Sequence, residues 1–305
     1  MTSLPADPLD QGGIAAFALA LRRGETTAEA TTRTYLARID ALNPRLQAYQ
    51  HVDAERAIAA ARAIDGLLAS GTDLGPLMGV PVGIKDIIAV DGMPTTNGSL
   101  LDTAHITGPE GAMVQRLKSA GAVILGKTKT VEYAFGATGV NSVRGTPCNP
   151  WDSAVHRTPG GSSSGSGVAT AAGLAAFTIG TDTGGSVRIP ATLNGIFGHK
   201  TTVGMWPTDG VFPLSPTLDS IGPLCRTAAD AAIVHSVMNE VEIPLPGRLK
   251  GLRLGRPTAH FYDNLDDQVA ACMAAAEAAL VDAGVELVDV DLPGVEERVW
   301  LFRSI

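Results

Sequence analysis

Two glycine-flanked serine turns constrain this chain more than any other feature. Residues 159–167 read Pro-Gly-Gly-Ser-Ser-Ser-Gly-Ser-Gly, and 24 residues after Ser162 a second serine stands in Gly180-Thr181-Asp182-Thr183-Gly184-Gly185-Ser186-Val187-Arg188-Ile189-Pro190. An apolar run, residues 168–179, joins the two turns. Glycine lets a backbone approach a bound group closely and adopt dihedrals closed to other residues. Serine supplies a hydroxyl that can attack a carbonyl or relay a proton. Together they imply covalent catalysis at a preformed oxyanion site.

At 305 residues the chain is long enough for one large domain or two ordinary ones with a substantial core. An apolar fraction of 45% against 18% charged residues belongs to a globular chain, not a disordered one. The net charge of -8 comes without a Lys/Arg cluster, which argues against nucleic acid or an anionic membrane as the main partner. Cys148, Cys225 and Cys272 are odd in number and far apart, fitting a reducing compartment and neither a disulfide framework nor a zinc site. Residues 1–11 lack the basic start and apolar core of a signal peptide. The weakly polar run 168–180 is too short and too rich in glycine to span a bilayer. These features predict a cytoplasmic protein.

Helical spacing covers residues 14–21, 28–42 and 54–69, with Asn43-Pro44 expected to end the second helix. The β-branched segment 80–90 reads as a buried strand, 112–120 as a helix and 122–126 as another strand. This βαβ rhythm predicts an α/β fold. Residues 141–166 and 204–225 read as mostly irregular, 168–176 as a helix and 177–180 as a short strand. Toward the end, 252–255 and 285–290 read as strands around an alanine-rich helix at 268–283, and 298–305 as the start of a helix.

A serine hydroxyl needs a base. Six histidines are present, but none lies in a Gly-x-Ser-x-Gly elbow; Ser164-Gly165-Ser166-Gly167 comes near, without a strand before it. A distant histidine stays available. Lys85 is the better base, because a lysine within an apolar strand is costly unless paired or neutral, and burial lowers its pKa. Ser-Lys pairs are a convergent variant of the hydrolytic triad. The alternative is an ordinary charged pair of Lys85 and Asp86 at a strand end. Asp182 and Arg188 are expected to brace their loop as an ion pair. The glycine-rich turns do not read as a phosphate loop, since no Gly-x-x-x-x-Gly-Lys-Ser/Thr pattern occurs.

Gly83-Ile84-Lys85-Asp86, Pro159-Gly160-Gly161-Ser162-Ser163 and the segment 180–190 together resemble the amidase signature family in order, context and spacing. The resemblance continues through Gly145-Thr146-Pro147-Cys148-Asn149-Pro150 and residues 212–219, and is strong over roughly 67–230. It implies the amidase-signature fold, a mixed β-sheet core covered by helices on both faces. It further implies a Ser-Ser-Lys triad with Ser186 as nucleophile, Ser162 as bridging serine after a cis Gly161–Ser162 bond, and Lys85 as base. Thr183, Gly184 and Gly185 would form the oxyanion hole and contact substrate, and residues 133–136 would lie where relatives line the acyl pocket.

The implied activity is hydrolysis of the C–N bond of a small carboxamide or urea-like substrate through an acyl-enzyme. No cofactor, metal, nucleic acid or membrane is expected, and a homodimer is left open. The alternatives are an A-subunit-like component of a glutamine-dependent tRNA amidotransferase, and an inactive family member or binding module. The chain reads as one domain over 1–305: a helical part at 1–75, the signature core at 76–230 and a partial C-terminal part at 231–305. It departs from the family in length, lacking the usual C-terminal third, and in Lys200-Thr201-Thr202, where relatives have Lys-Pro-Thr.

Overall fold

The computed structural model describes residues 7–9, 12–152, 154–241 and 249–297. The readings of residues 1–6 and of a helix at 298–305 lie outside these. The chain divides into two compact units, Met1–Ile243 and Pro244–Ile305, each described by itself.

In the first unit the elements run α1 (Gly13–Arg22), α2 (Ala28–Leu46), β1 (Tyr49–Val52), α3 (Ala54–Ala69), β2 (Pro81–Lys85), α4 (Ala104–Thr107), α5 (Ala112–Ser119), β3 (Val123–Thr128), α6 (Ser164–Ala171), β4 (Phe177–Asp182), α7 (Arg188–Leu193), β5 (Phe197–Gly198), β6 (Ser220–Cys225) and α8 (Ala228–Asn239). The strands form one sheet in the order β1-β3-β2-β4-β6-β5. Its centre is parallel, β3 and β4 flanking β2, while β1, β6 and β5 run antiparallel to their neighbours. This is the mixed sheet with helices of an α/β fold. Val82, Ile84, Val123, Leu125, Phe177, Ile179 and Ile221 are all buried, as continuous apolar strands covered by helices must be.

The register determines where chemistry can sit. Lys85 ends β2 beside Thr128, which ends β3. Asp182 ends β4 opposite Ser220, which begins the antiparallel β6. The carboxyl ends of three parallel strands and the start of β6 therefore share one edge, the place where open α/β sheets form ligand clefts. Helix α6 starts at that edge. A Cβ on Gly165 would lie 2.2 Å from the Ala48 carbonyl and 2.4 Å from the Lys129 amide, so only glycine lets this first turn settle onto the ends of β1 and β3. The helix is tied to the sheet by hydroxyls: Thr128 Oγ1 is 2.7 Å from Ser166 Oγ, and Thr178 Oγ1 donates to the Ser166 carbonyl at 3.1 Å. These bonds satisfy polar groups that water cannot reach.

Several elements differ from the sequence expectation. The strand expected over 80–90 stops at Lys85, because the amides of Ile87 and Ile88 turn back to the Lys85 carbonyl. Helix α2 runs through Pro44 to Leu46 and ends at Gln47 in the left-handed conformation. Proline there removes a single bond in the last turn. Helix α6 begins at Ser164 and stops at Ala171, ahead of the span expected. The segment 204–225, read as irregular, ends in β6, a fully buried strand. Pro223 is tolerated because its carbonyl accepts from His199 N on the β5 side at 3.0 Å. In an antiparallel strand a residue's N and O point the same way, so the absent N–H leaves the β4 ladder intact. The short strand β1 was not anticipated at all.

The second unit is a small βαβ arrangement, β7 (Arg253–Pro257), α9 (Asp267–Asp282) and β8 (Glu286–Val290), with the two strands parallel. All three match expected elements to within a few residues. None of the residues of α9 is buried.

Candidate active site

Lys85 leaves the end of β2 and enters a pocket with no solvent contact at all. Its Nζ lies 2.7 Å from Ser162 Oγ and 2.7 Å from Thr181 Oγ1. Burial lowers its pKa to about 7, against the opposing charges of Asp182 and Asp219. Desolvation is the dominant cause, since no carboxylate touches the amine. The pairing of Lys85 with Asp86 does not form. Asp86 instead meets Lys127 at 3.2 Å, both fully enclosed, and takes hydrogen bonds from the Thr96 amide and hydroxyl.

Ser162 is fully buried, and of the three consecutive serines it is the one that reaches Lys85. The Gly161–Ser162 peptide bond is cis. The Gly161 amide donates to the Ala137 carbonyl at 2.7 Å, and the Ser162 carbonyl accepts from the Val131 amide and the Thr130 hydroxyl, both at 3.1 Å. Ser163 turns the other way, its hydroxyl donating to the Thr181 carbonyl at 3.3 Å while its amide donates to the Ser186 carbonyl at 3.2 Å. That last bond joins the two glycine-flanked turns. Ser186 is partly exposed.

The turn ahead of Ser186 is built around Asp182. Its carboxylate accepts from the Gly185 amide at 2.7 Å and the Val187 amide at 3.2 Å. It also accepts from Arg188 Nε at 3.0 Å and Nη2 at 2.9 Å. The bracing ion pair expected between Asp182 and Arg188 is therefore present. Burial pushes the Asp182 carboxyl upward, but the guanidinium and the two amides outweigh it and hold it below the usual carboxylate range. Gly185 adopts φ +127°, a backbone open to glycine alone in practice. Its N–H points to Asp182, so this amide shapes the turn instead of facing the opening. The N–H groups of Thr183, Gly184 and Ser186 have no partner among the described residues, and Gly184 is exposed. Val187 caps the six-residue helix α7 that follows.

Two further residues join the site without having been singled out from sequence. Thr181 holds the Lys85 amine, and Asp219 accepts a hydrogen bond from the Thr183 hydroxyl. Both lay inside segments noted for their resemblance, but only the register of β4 and β6 shows what they touch. Three of the six histidines are engaged elsewhere: His156 with the Pro147 carbonyl at 3.1 Å, His199 and His235 with each other at 3.0 Å. Next to Val131, whose amide holds the Ser162 carbonyl, an open cavity of about 320 Å³ is lined by Val131, Tyr133, Phe135 and Val140 together with the polar Glu132, Asn141 and Ser142. There the Tyr133 ring stacks on Phe212 at 5.2 Å, and its hydroxyl is 2.8 Å from Ser99 Oγ. Among the described residues no group of three or more His, Cys, Asp or Glu is placed to hold a metal ion, and no helix is long and apolar enough to cross a membrane.

The sequence matches the family model described as Amidase over residues 30–305. It is 46% identical over 262 residues to a 2-amino-5-chloromuconic acid deaminase of Comamonas testosteroni, covering 85% of this chain and 57% of that protein. It is 44% identical over 247 residues to the A component of the glutamyl-tRNA(Gln) amidotransferase of Acidothermus cellulolyticus, covering 76% of this chain and 48% of that one. Among solved structures, the native peptide amidase from Stenotrophomonas maltophilia superposes with a TM-score of 0.84 at 33% identity, covering 97% of this chain and 64% of that chain. The chain thus spans between about half and two thirds of the length of these relatives.

Proposed function

This chain belongs to the amidase family, and from that premise we propose that it hydrolyses the C–N bond of a small carboxamide or urea-like molecule in the cytoplasm. Its two units would together form one amidase-signature domain. The 2.7 Å contact between the Lys85 amine and Ser162 Oγ is the observation that carries the reading. A neutral amine accepts a proton, and with a pKa of about 7 a large fraction of Lys85 is neutral at physiological pH. Lys85 takes the Ser162 proton while Ser162 takes that of Ser186, whose Oγ adds to the amide carbonyl. Negative charge gathers on the carbonyl oxygen and is met by the free amides of the turn at Thr183 and Gly184. Gly185 keeps that turn in shape through Asp182. Preorganised donors of this kind are worth roughly 2.7–4 kcal/mol each in the barrier. The proton then passes back along the relay to the leaving nitrogen, releasing amine or ammonia and leaving an ester on Ser186. Water, deprotonated by the same relay, adds to the ester, and the carboxylic acid departs.

The stacked Tyr133 and Phe212 rings support an acyl group with a flat face. A fluorophosphonate probe should label the wild-type chain once and the Ser186→Ala variant not at all, with ammonia released from simple amides by the wild type only. Folded wild-type protein that resists the probe would overturn the enzyme reading in favour of a binding module. A second reading, supported by the similarity to the A component of a tRNA amidotransferase, is a component that works within a larger assembly. Stable co-purification with a tRNA-binding partner, together with inertness toward free amides, would favour it.

A further inference from the structure

Asp219 is the last residue before β6, and the pairing of Asp182 with Ser220 brings it to the end of β4. Its carboxylate takes a hydrogen bond from the Thr183 hydroxyl and also accepts from the amides of Leu214 at 3.0 Å and Ser215 at 3.0 Å. The same segment reaches back toward Lys85, because the Phe212 amide donates to the Ile87 carbonyl at 2.8 Å. Asp219 is therefore the knot between the turn that precedes Ser186, the strand end that carries Lys85 and the loop that supplies Phe212. It is buried, and among the described residues its partners are a hydroxyl and amides, with no cation in ion-pair contact.

The other charges around Lys85 are already answered. Asp182 at the end of β4 is paired with Arg188 of α7. Lys127 of β3 is paired with Asp86, which follows β2. Helix α6, which covers the site, contains no charged residue. Of the two carboxylates that act on Lys85 among the described residues, Asp219 is the one without a cation partner.

We propose that Asp219 is a positioning residue of this site: it clamps Thr183, and with it the turn that faces the substrate, and supplies an unpaired negative charge that acts on Lys85. This rests on the amidase reading and names a component that reading does not contain. A carboxylate near an amine favours its ammonium form, and Asp219 is one of the two charges that oppose the effect of burial on Lys85. Asp219 thus keeps Lys85 from being neutral far below physiological pH, while the clamp keeps the Thr183 and Gly184 amides aimed.

Asp219→Asn and Thr183→Val separate the two effects. Asn keeps the shape and removes the charge; Val removes the hydroxyl and leaves the charge, still held by the Leu214 and Ser215 amides. The rate of fluorophosphonate labelling of Ser186 is followed against pH for both variants and the wild type, and Lys85 is titrated in full-length chains with isotope-labelled lysine side chains. In Asp219→Asn, labelling above pH 7 should stay within about threefold of wild type, since the neutral fraction of Lys85 does not fall. Its acid limb and the Lys85 titration should both move to lower pH by about one unit. In Thr183→Val labelling should slow with the limb unmoved. A Lys85 titration and acid limb unchanged in Asp219→Asn would overturn the proposal, as would an unchanged labelling rate in Thr183→Val. Absent labelling in folded wild type would instead overturn the amidase reading, and the Lys85 titration, which needs no activity, still decides the role of Asp219.

Discussion

An amine sealed from water between two hydroxyls is held away from its ordinary charge state by desolvation alone. Lys85 is in that position, its pKa lowered to about 7 by burial. As the proposed base it works when neutral, so activity should be high above about pH 7 and fall tenfold per pH unit below it. A pH profile of kcat/KM checks this. Lys85→Ala should lower the rate by roughly a hundredfold to ten-thousandfold above about pH 7, the range for losing a general base, and by progressively less at lower pH. A profile flat from pH 5 to 8 would remove Lys85 from that role. At this scale the sequence carried much of the site, since a lysine in a β-branched segment is anomalous enough to notice. It misled on Asp86. Consecutive residues leave a strand on opposite sides, so Lys85 and Asp86 diverge, and the parallel register that sets Ile84 beside Lys127 brings the partner from β3.

Each element is held to the site edge by a different interaction: α6 through glycine and hydroxyls, β2 and β3 through the enclosed pair of Lys127 and Asp86. Lys127 also donates to Thr95 Oγ1 at 2.7 Å, so the pair fixes the chain just after Lys85. Removing one partner of such a pair strands a buried charge. Lys127→Met should cost about 3–5 kcal/mol, measured by denaturant unfolding, whereas Lys127→Met with Asp86→Asn should recover most of that loss. Equal losses in the single and double variants would show that the pair contributes packing only. The elements themselves were unevenly legible. Helix α3 was read to the residue because Asp53 caps it and its apolar positions repeat with helical period. Strand β6 was missed because Gly222 and Pro223 mimic a loop, and only the one-sided absence of a proline N–H explains why the sheet accepts them.

For the molecule as a whole, a buried lysine is also a liability. Because its pKa is lower folded than unfolded, the unfolded chain binds more protons between about pH 7 and the ordinary lysine pKa. The penalty is complete below pH 7 and fades as pH rises toward 10.5. Lys85→Met should therefore slow hydrolysis as Lys85→Ala does yet raise the melting temperature at neutral pH, and the gain over wild type should shrink in alkaline buffer. A gain that did not change with pH would point to packing alone. Residue types and their order determined the family and named Lys85, Ser162 and Ser186, because glycine turns, a misplaced lysine and paired serines are local features that a linear string preserves. The parallel register of β2, β3 and β4, with β6 returning beside them, decided the rest. It gave Lys85 to Ser162 and Thr181, Asp86 to Lys127 and Thr183 to Asp219, since each of these pairs is joined only when strands remote in sequence end at one edge of a sheet.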